Sequence, residues 1–493
     1  MDNIVSMQHK ILTCLFVLIY FGSNAAEKPL QAIMQSASFK AGSDSSYIET
    51  GITVLGNTLK FTETKHGTFQ TSVSITILYS LDSMNHFYTK YVLTSPETID
   101  TSGNGFNLVD LKKVKVPNGV YTIQVLISDN DNSRSITLTE KINAVFNNAD
   151  LQLSDLQWQE SYEAGNANSV YYKAGYIMHP HCISYFPTSM HKLIFYCELY
   201  NADKIFGTDN FLVSYSVMSA NTGKVVNNLA ASKKYSPAEA LILFSEFDIS
   251  DIPSGNYILQ IEIKNKMNKV VLSKQEFFQR NNKKFILDLT NIAVINTSKT
   301  FVETIDPDSL NFYLEALMPT AEYYERDYIN SVLSKQDTAF MKQFFYNFWQ
   351  KRNETNPELA WKQYLKMVLE VEKYYSTLIH HGFETDRGRV YLQYGPPNQI
   401  EKSTHEAGSY PYEIWHYYQL ASNQTNVKFI FYDPDLVTND YKLIHSDALG
   451  EVKDNRWQYK ISDSFQNQNG VTDFDENSTR DYFGSQLDDL YNH

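Results

Sequence analysis

VPNGVYTIQVLI, residues 116–127, returns as IPSGNYILQIEI at residues 252–263, and both copies follow the pattern [VI]-P-x-G-x-Y-x-[IL]-Q-[VI]-x-I. Proline and glycine shape a turn, and the residues after it alternate. Tyr121, Ile123, Val125 and Ile127 point one way in the first copy, as do Tyr257, Leu259, Ile261 and Ile263 in the second, which is the pattern of a strand with one buried face. Each run ends in a polar turn, DNDNS at 129–133 and KNKMN at 264–268, and a second alternating run follows. Two matching hairpins are predicted. Their separation of one domain length predicts tandem β-sandwiches over residues 27–148 and 149–287, of immunoglobulin-like topology. SVSITILYS (72–80) and KLIFYCELY (192–200) read as further members of the two sheets.

The bulk properties agree with a mainly β, multidomain chain. At 493 residues it exceeds one hydrophobic core, since domains run to about 100–200 residues. Its 14% aromatic content, with 35 Tyr and 29 Phe, favours strands, because a pleated, half-buried surface accommodates rigid rings. A net charge of −14 argues against nucleic acid and anionic lipid as partners, since both are bound by concentrated Lys and Arg. The N-terminus has one Lys, then the apolar run ILTCLFVLIYFG at 11–22, then small residues at Ser23, Asn24 and Ala25. That is the layout of a secretory signal peptide over residues 1–26. The run is shorter than the roughly 20 residues a membrane span needs, and no later segment reads as one. Cys182 and Cys197, in a chain entering an oxidising compartment, are expected to form a disulfide.

After a linker at 288–334 the periodicity changes. TAFMKQFFYNFWQKR (338–352) carries Phe340, Phe344 and Phe348 on one stripe with Met341, Phe345 and Trp349 beside them, a helical pattern. Asn356 and Pro357 then open a second helix, PELAWKQYLKMVLEVEKYYSTLIHH, as N-cap and first-turn residue. This helix is expected to run to His380 and His381, with Gly382 as its stop. Strand patterns follow: RVYLQYG (389–395), YEIWHYY (412–418), VKFIFYD (427–433) and YKLIHS (441–446). Helices followed by strands predict an α+β domain over 335–464 with a mainly antiparallel sheet, and then a loose acidic tail at 465–493.

Between the second helix and the first of these strands lies GFETDRGRVYLQYGPP, residues 382–397. Asp386, beside Arg387 and Arg389, is expected to make an ion pair or cap a turn, Gly388 to permit an unusual backbone angle, and Gly395, Pro396 and Pro397 to end the strand. Gly382, Phe383, Thr385, Asp386, Arg387, Gly388, Tyr391, Tyr394, Gly395 and Pro397, together with Glu413 and Trp415 of YEIW, resemble the motif of the GWxTD domain, found in exported Bacteroidota proteins. Phe348-Trp349, Tyr374-Tyr375 and Phe429 to Tyr432 match further landmarks, and the resemblance covers roughly residues 335–460. Phe383 stands where the family has Trp, and one aromatic replacing another points to packing. The family carries no established activity to transfer, so the resemblance implies location and architecture, with these residues structural or interacting.

Chemical motifs are few. No G-x-S-x-G, H-E-x-x-H, phosphate loop or dinucleotide fingerprint occurs, and no cofactor is expected. His179, His181, Cys182, His191 and Cys197 cluster in sequence without a standard zinc spacing. Residues 129–140 have acids at calcium-loop positions but lack the central glycine. Neither is expected to hold metal. Glu384, Asp386 and Glu413 could supply the carboxylate pair of a carbohydrate-active or proteolytic hydrolase, although neighbouring arginines favour ionised carboxylates over a general acid. The primary expectation is an exported, non-enzymatic protein of the bacterial cell envelope, periplasmic or surface-associated. Its sandwiches would act as spacers or recognition modules, and its C-terminal domain would dock an envelope or outer-membrane-associated protein. A glycan ligand is compatible with tyrosine stacking. The discriminator is geometric: convergence of the carboxylates in an open cleft, or pairing with arginine and backbone amides.

Overall fold

The computed structural model describes residues 28–462 except 82–83, 100, 102–105, 130–132, 284–291, 405, 407–408 and 455–456. The signal-peptide and acidic-tail expectations, and the centre of the 129–140 loop, lie outside the described residues. No helix among the described residues is long and apolar enough to cross a membrane. The chain divides into two compact units: residues up to Ile33 with Ile52–Asp110 and Thr122–Lys141, and Met34–Gly51 with Leu111–Tyr121 and everything from Ile142 onward.

The N-terminal region is built from β1 (Ala32–Lys40), β2 (Ser45–Leu55), β3 (Ser72–Leu81), β4 (Met84–Thr94), β5 (Asn107–Pro117), β6 (Gly119–Asp129) and β7 (Ser135–Ala144). They form two sheets, ordered β1-β2-β5 and β4-β3-β6-β7. The alternation read from the sequence is realised. In β3, Val73, Ile75, Ile77 and Tyr79 are fully buried, as are Ile123, Val125 and Ile127 in β6.

A β-sandwich follows in the second unit. One sheet contains β8 (Gln157–Ala164), β9 (Tyr176–Pro180), β10 (Lys192–Tyr200) and, on the other edge of β10, β13 (Ala240–Asp248). The other is ordered β15-β14-β11-β12, from β11 (Phe211–Ser219), β12 (Val225–Tyr235), β14 (Gly255–Lys264) and β15 (Val270–Arg280). Trp158, Phe195 and Cys197 of the first sheet share a core with Val213, Tyr257, Ile261 and Phe278 of the second. The repeated sequence makes the same corner twice. The Tyr121 hydroxyl donates to the Pro117 carbonyl at 3.0 Å, and the Tyr257 hydroxyl donates to the Pro253 carbonyl at 3.0 Å.

The expected disulfide is absent. Cys182 and Cys197 are both buried and are not joined. Cys197 faces the sandwich interior, where burial pushes its thiol up to about 12. Cys182 lies elsewhere, against Gly51, where an added Cβ would approach its Sγ to 2.5 Å.

The stretch expected to be a linker instead carries α1 (Pro307–Glu315) and α2 (Tyr323–Lys335). Leu310, Leu314, Ile329 and Val332 from these helices enter one core with residues of α3 (Thr338–Arg352), α4 (Pro357–Tyr375) and α5 (Asp386–Tyr394). The sheet β16 (Gln399–Ser403), β17 (Tyr412–Gln419), β18 (Thr425–Tyr432) and β19 (Lys442–Ser446) is antiparallel throughout. Trp415, Phe429 and Phe431 on one face join the helical core. Tyr412, Ile414 and Ile430 on the other face pack on α6 (Trp457–Ser462).

Asn356 caps α4 as its sequence predicts, and Asp337, not singled out there, caps α3; each side-chain oxygen takes an otherwise unpaired first-turn amide. Two readings are corrected. The long helix stops at Tyr375, so His380 and His381 lie in the loop beyond it. Residues 389–395 are helical, not extended: α5 contains Val390, Tyr391 and Leu392, all buried. A short helix covered on both sides by α4 and the sheet buries consecutive residues, which erases the 3.6-residue period that would announce it.

The sandwich and the helices share polar contacts. The Ser219 hydroxyl and the Asn221 amide donate to the Glu322 carboxylate at 2.7 and 3.1 Å. Gln275 donates to the Ser422 carbonyl at 2.7 Å.

Candidate functional site

The sequence motif folds as a single turn of 3-10 helix, Gly382–Glu384, followed by α5. Its glycines are required by close approach. A Cβ on Gly382 would lie 2.3 Å from the Val371 carbonyl oxygen, and one on Gly388 would lie 1.8 Å from the Gly382 carbonyl oxygen. The motif therefore stacks directly on the backbone of α4. Gly395 serves differently. Its φ is +85° in open space, a left-handed conformation that favours glycine after a helix.

Thr385 is the N-cap of α5. Its hydroxyl accepts from the Gly388 amide at 3.1 Å and donates to the Gly382 carbonyl at 2.8 Å. Asp386 reaches the sheet, its carboxylate accepting from the Leu443 amide of β19 at 2.8 Å. Helix and sheet are thus clasped by a carboxylate on a backbone amide, while the arginines on either side engage other acids. Arg387, 3% exposed, pairs with the buried Glu413 at 3.0 Å and donates to the Asn439 carbonyl at 2.7 Å. Lys402 also reaches Glu413 at 3.0 Å, and the Trp415 indole N–H donates to its second oxygen at 2.8 Å. The Arg387 guanidinium lies 4.1 Å from the Tyr441 ring centroid and 5.2 Å from that of Tyr375. Arg389 grips Glu451 with both terminal nitrogens, each at 2.8 Å. The Tyr394 hydroxyl donates to the same carboxylate at 2.9 Å. Burial and the negative Glu451 hold the Tyr394 phenol well above its ordinary range, so it remains a donor.

Phe383 is buried, edge-on to Phe312 at 5.4 Å and stacked on His381 at 5.1 Å. Tyr391 and Tyr375 pack around Trp415. Pro397 is half-buried in the turn leading to β16. Glu384 accepts from the His381 amide at 2.8 Å, and Glu372 accepts from the Gly382 amide at 2.7 Å. Of the three hydrolase carboxylates, Glu384 alone lines the nearby cleft of about 420 Å³, with Glu315, Arg326 and Phe383 among its other walls. Asp386 and Glu413 face elsewhere and are engaged as described. Glu372 and Glu451 were not singled out in the sequence. Neither has a local signature there.

The potential metal ligands also separate. His179 packs on Tyr171 at 5.1 Å, His181 bonds the Tyr185 carbonyl at 2.9 Å, and His191 meets the Ser250 hydroxyl at 3.3 Å. Among the described residues no three His, Cys, Asp or Glu side chains converge on a metal position. Asp129 is held by Arg134 at 2.8 Å.

No curated protein matches the chain. Among solved structures, the fibronectin(III)-like modules of Clostridium thermocellum CbhA match at 11% identity and TM-score 0.14, covering 50% of this chain and 94% of that one. A calcium-binding mutant of Bacteroides uniformis beta-glucuronidase 2 matches at 8% identity and TM-score 0.15, over 49% of this chain and 27% of that one. Parabacteroides merdae beta-glucuronidase matches at 9% identity and TM-score 0.16, over 48% of this chain and 29% of that one. The chain thus spans under a third of either glucuronidase. Residues 262–463 match the model of the GWxTD domain, and with the motif turn, its two close-packed glycines and the Thr385-Asp386 clasp in place, the chain carries a GWxTD domain.

Proposed function

We propose that this is an exported, non-enzymatic interaction protein of the bacterial cell envelope, periplasmic or surface-associated. In this reading two tandem sandwiches act as spacer or recognition modules, and the GWxTD domain docks a protein partner. One observation carries the docking role. The loop between α4 and the motif displays Leu378 and Ile379 at 97% and 75% exposure. It is an organised turn: the Thr377 amide donates to the His380 carbonyl at 2.9 Å, and the Thr377 hydroxyl accepts from the His380 amide at 3.0 Å. Tyr374, also exposed, extends the patch along α4. Fully burying an aliphatic side chain contributes about 1.5–3 kcal/mol, so a preorganised pair is a small but effective anchor. The N-terminal apolar run supports export. The engagement of Asp386 and Glu413 inside the fold supports a motif that builds architecture.

The test uses full-length mature protein as bait in envelope extract, beside a Leu378→Ser/Ile379→Ser variant. The expected result is one stoichiometric protein partner, retained by the parent and lost by the variant, with an unchanged melting temperature. Equal capture by both would remove the loop from the docking role. Enrichment of glycan turnover products would favour the hydrolase reading.

A further inference from the structure

In the second unit, far in sequence from the motif, a cavity of about 640 Å³ opens beside a buried charge cluster. That volume falls within the range of small-molecule sites, about 300–1,000 Å³. At its floor lies Glu49, 1% exposed. Its Oε2 faces Lys173 at 2.7 Å and accepts from the Gln157 amide at 2.8 Å. Its Oε1 faces Lys113 at 3.1 Å but has no aligned hydrogen bond. Burial alone would push the Glu49 carboxyl up. The two ammonium groups and the bonds from Lys173 and Gln157 outweigh it and hold the group ionised below its ordinary value.

The walls combine two further features. Val114, Leu241 and Ile242 supply apolar surface, and Tyr47 and Tyr172 are half-buried rings rather than core ones. Lys115 also lines the cavity, exposed, and has no ion-pair partner among the described residues. The remaining carboxylate, Glu198, is saturated by the Tyr196, Tyr200 and Tyr47 hydroxyls at 2.5, 2.7 and 3.4 Å. What the site offers a ligand is therefore specific: the free donor of Lys115, the half-buried ring of Tyr172 and the apolar walls beside it.

We infer that this cavity binds a neutral oligosaccharide. A pyranose ring carries hydroxyls that donate and accept from adjacent carbons, together with a C–H face that packs on an aromatic ring. An inorganic anion would engage Lys115 but leave Tyr172 and the apolar walls uncovered, and a simple apolar ligand would give Lys115 no acceptor. A ring hydroxyl accepts from Lys115, and the C–H face of the ring lies on Tyr172. The inference is independent of the partner-docking reading.

The test is isothermal titration calorimetry of the full-length mature protein with cello-, xylo-, manno-, malto- and chitohexaose. At least one is expected to bind with a Kd of about 1 mM or tighter. Tyr172→Ala and Lys115→Ala should each weaken it about tenfold or more, while Leu378→Ser/Ile379→Ser leaves it unchanged. Lys115 is exposed, so its variant reports on binding even if Tyr172→Ala perturbs folding. Failure of all five sugars to bind at about 10 mM, or undiminished affinity in the Lys115 variant, overturns the proposal.

Discussion

Glu413 and Glu49 are both buried glutamates held by two cations, yet their surroundings differ. Glu413 has both oxygens hydrogen-bonded, by Arg387 and by the Trp415 indole, and the rings of Tyr375 and Tyr441 close over the arginine. Glu49 has one oxygen satisfied and one turned toward Lys113 without an aligned bond, beside a cavity. Aromatic rings cover a cation in both, since Lys173 lies 4.0 Å from the Phe39 centroid and 4.7 Å from that of Tyr196; what differs is that one Glu49 oxygen is held by charge without an aligned bond, on the wall of a cavity. Burial alone does not separate the two. The accounting of lone pairs does.

The comparison is most sharply tested where backbone meets backbone. Gly388→Ala places a Cβ on the Gly382 carbonyl and is expected to cost more than about 4 kcal/mol in urea denaturation, whereas Tyr172→Ala at the cavity wall should cost under about 1.5 kcal/mol. Removing the acids comes next. Glu413→Ala strands Arg387 in a dry core and should cost about 3–5 kcal/mol. Glu49→Ala strands the buried Lys173 but should cost less, about 1–3 kcal/mol, because a lysine already pulled down to about 8 can release its proton where an arginine cannot. Equal losses would break the distinction. Asp386→Ala forfeits one amide bond to β19 and should cost about 1–2 kcal/mol, with Asp386→Asn, which keeps an acceptor, costing less.

The smallest effect concerns pH. Burial pulls the Lys173 ammonium down to about 8, against the opposing pull of Glu49. Above pH 8 the unfolded chain still holds that proton while the folded chain releases it, so this lysine's contribution makes stability rise between pH 8 and about 10.4. The penalty for burying the charge is fully present below pH 8. The rise should be on the order of 1 kcal/mol per pH unit at most across that window, and Lys173→Met should remove it from the pH profile of denaturation midpoints.

The hairpins at 116–144 and 252–280 were legible because strand alternation survives wherever one face is buried and the other is not. Helices α3 and α4 were legible for the analogous reason, with Asn356 and Pro357 marking where α4 starts. Helix α5 was not, because Val390, Tyr391 and Leu392 are buried together. A Thr385 N-cap ten residues before the glycine at 395 was the signal available. Helices α1 and α2 hid behind modest apolar content. The roles of Glu451, 62 residues from Arg389, and of Glu49, 108 residues from Gln157, rest on tertiary proximity that no local pattern encodes. The aromatic at 383 was readable as packing because it stands where the family resembled has Trp.

The contacts of Glu322 with Ser219 and Asn221 bear on how this protein can be divided. A fragment beginning at 288 would strip the donors from a carboxylate whose burial already raises its affinity for a proton, one beginning at 335 would lose Glu322 itself, and both would expose the carbonyl that Gln275 caps. Sandwich and helices therefore have to travel together through expression and purification, and because Ser38 and Glu49 bond Asp155, Gln157 and Lys173 of that sandwich, the bait is the full mature chain.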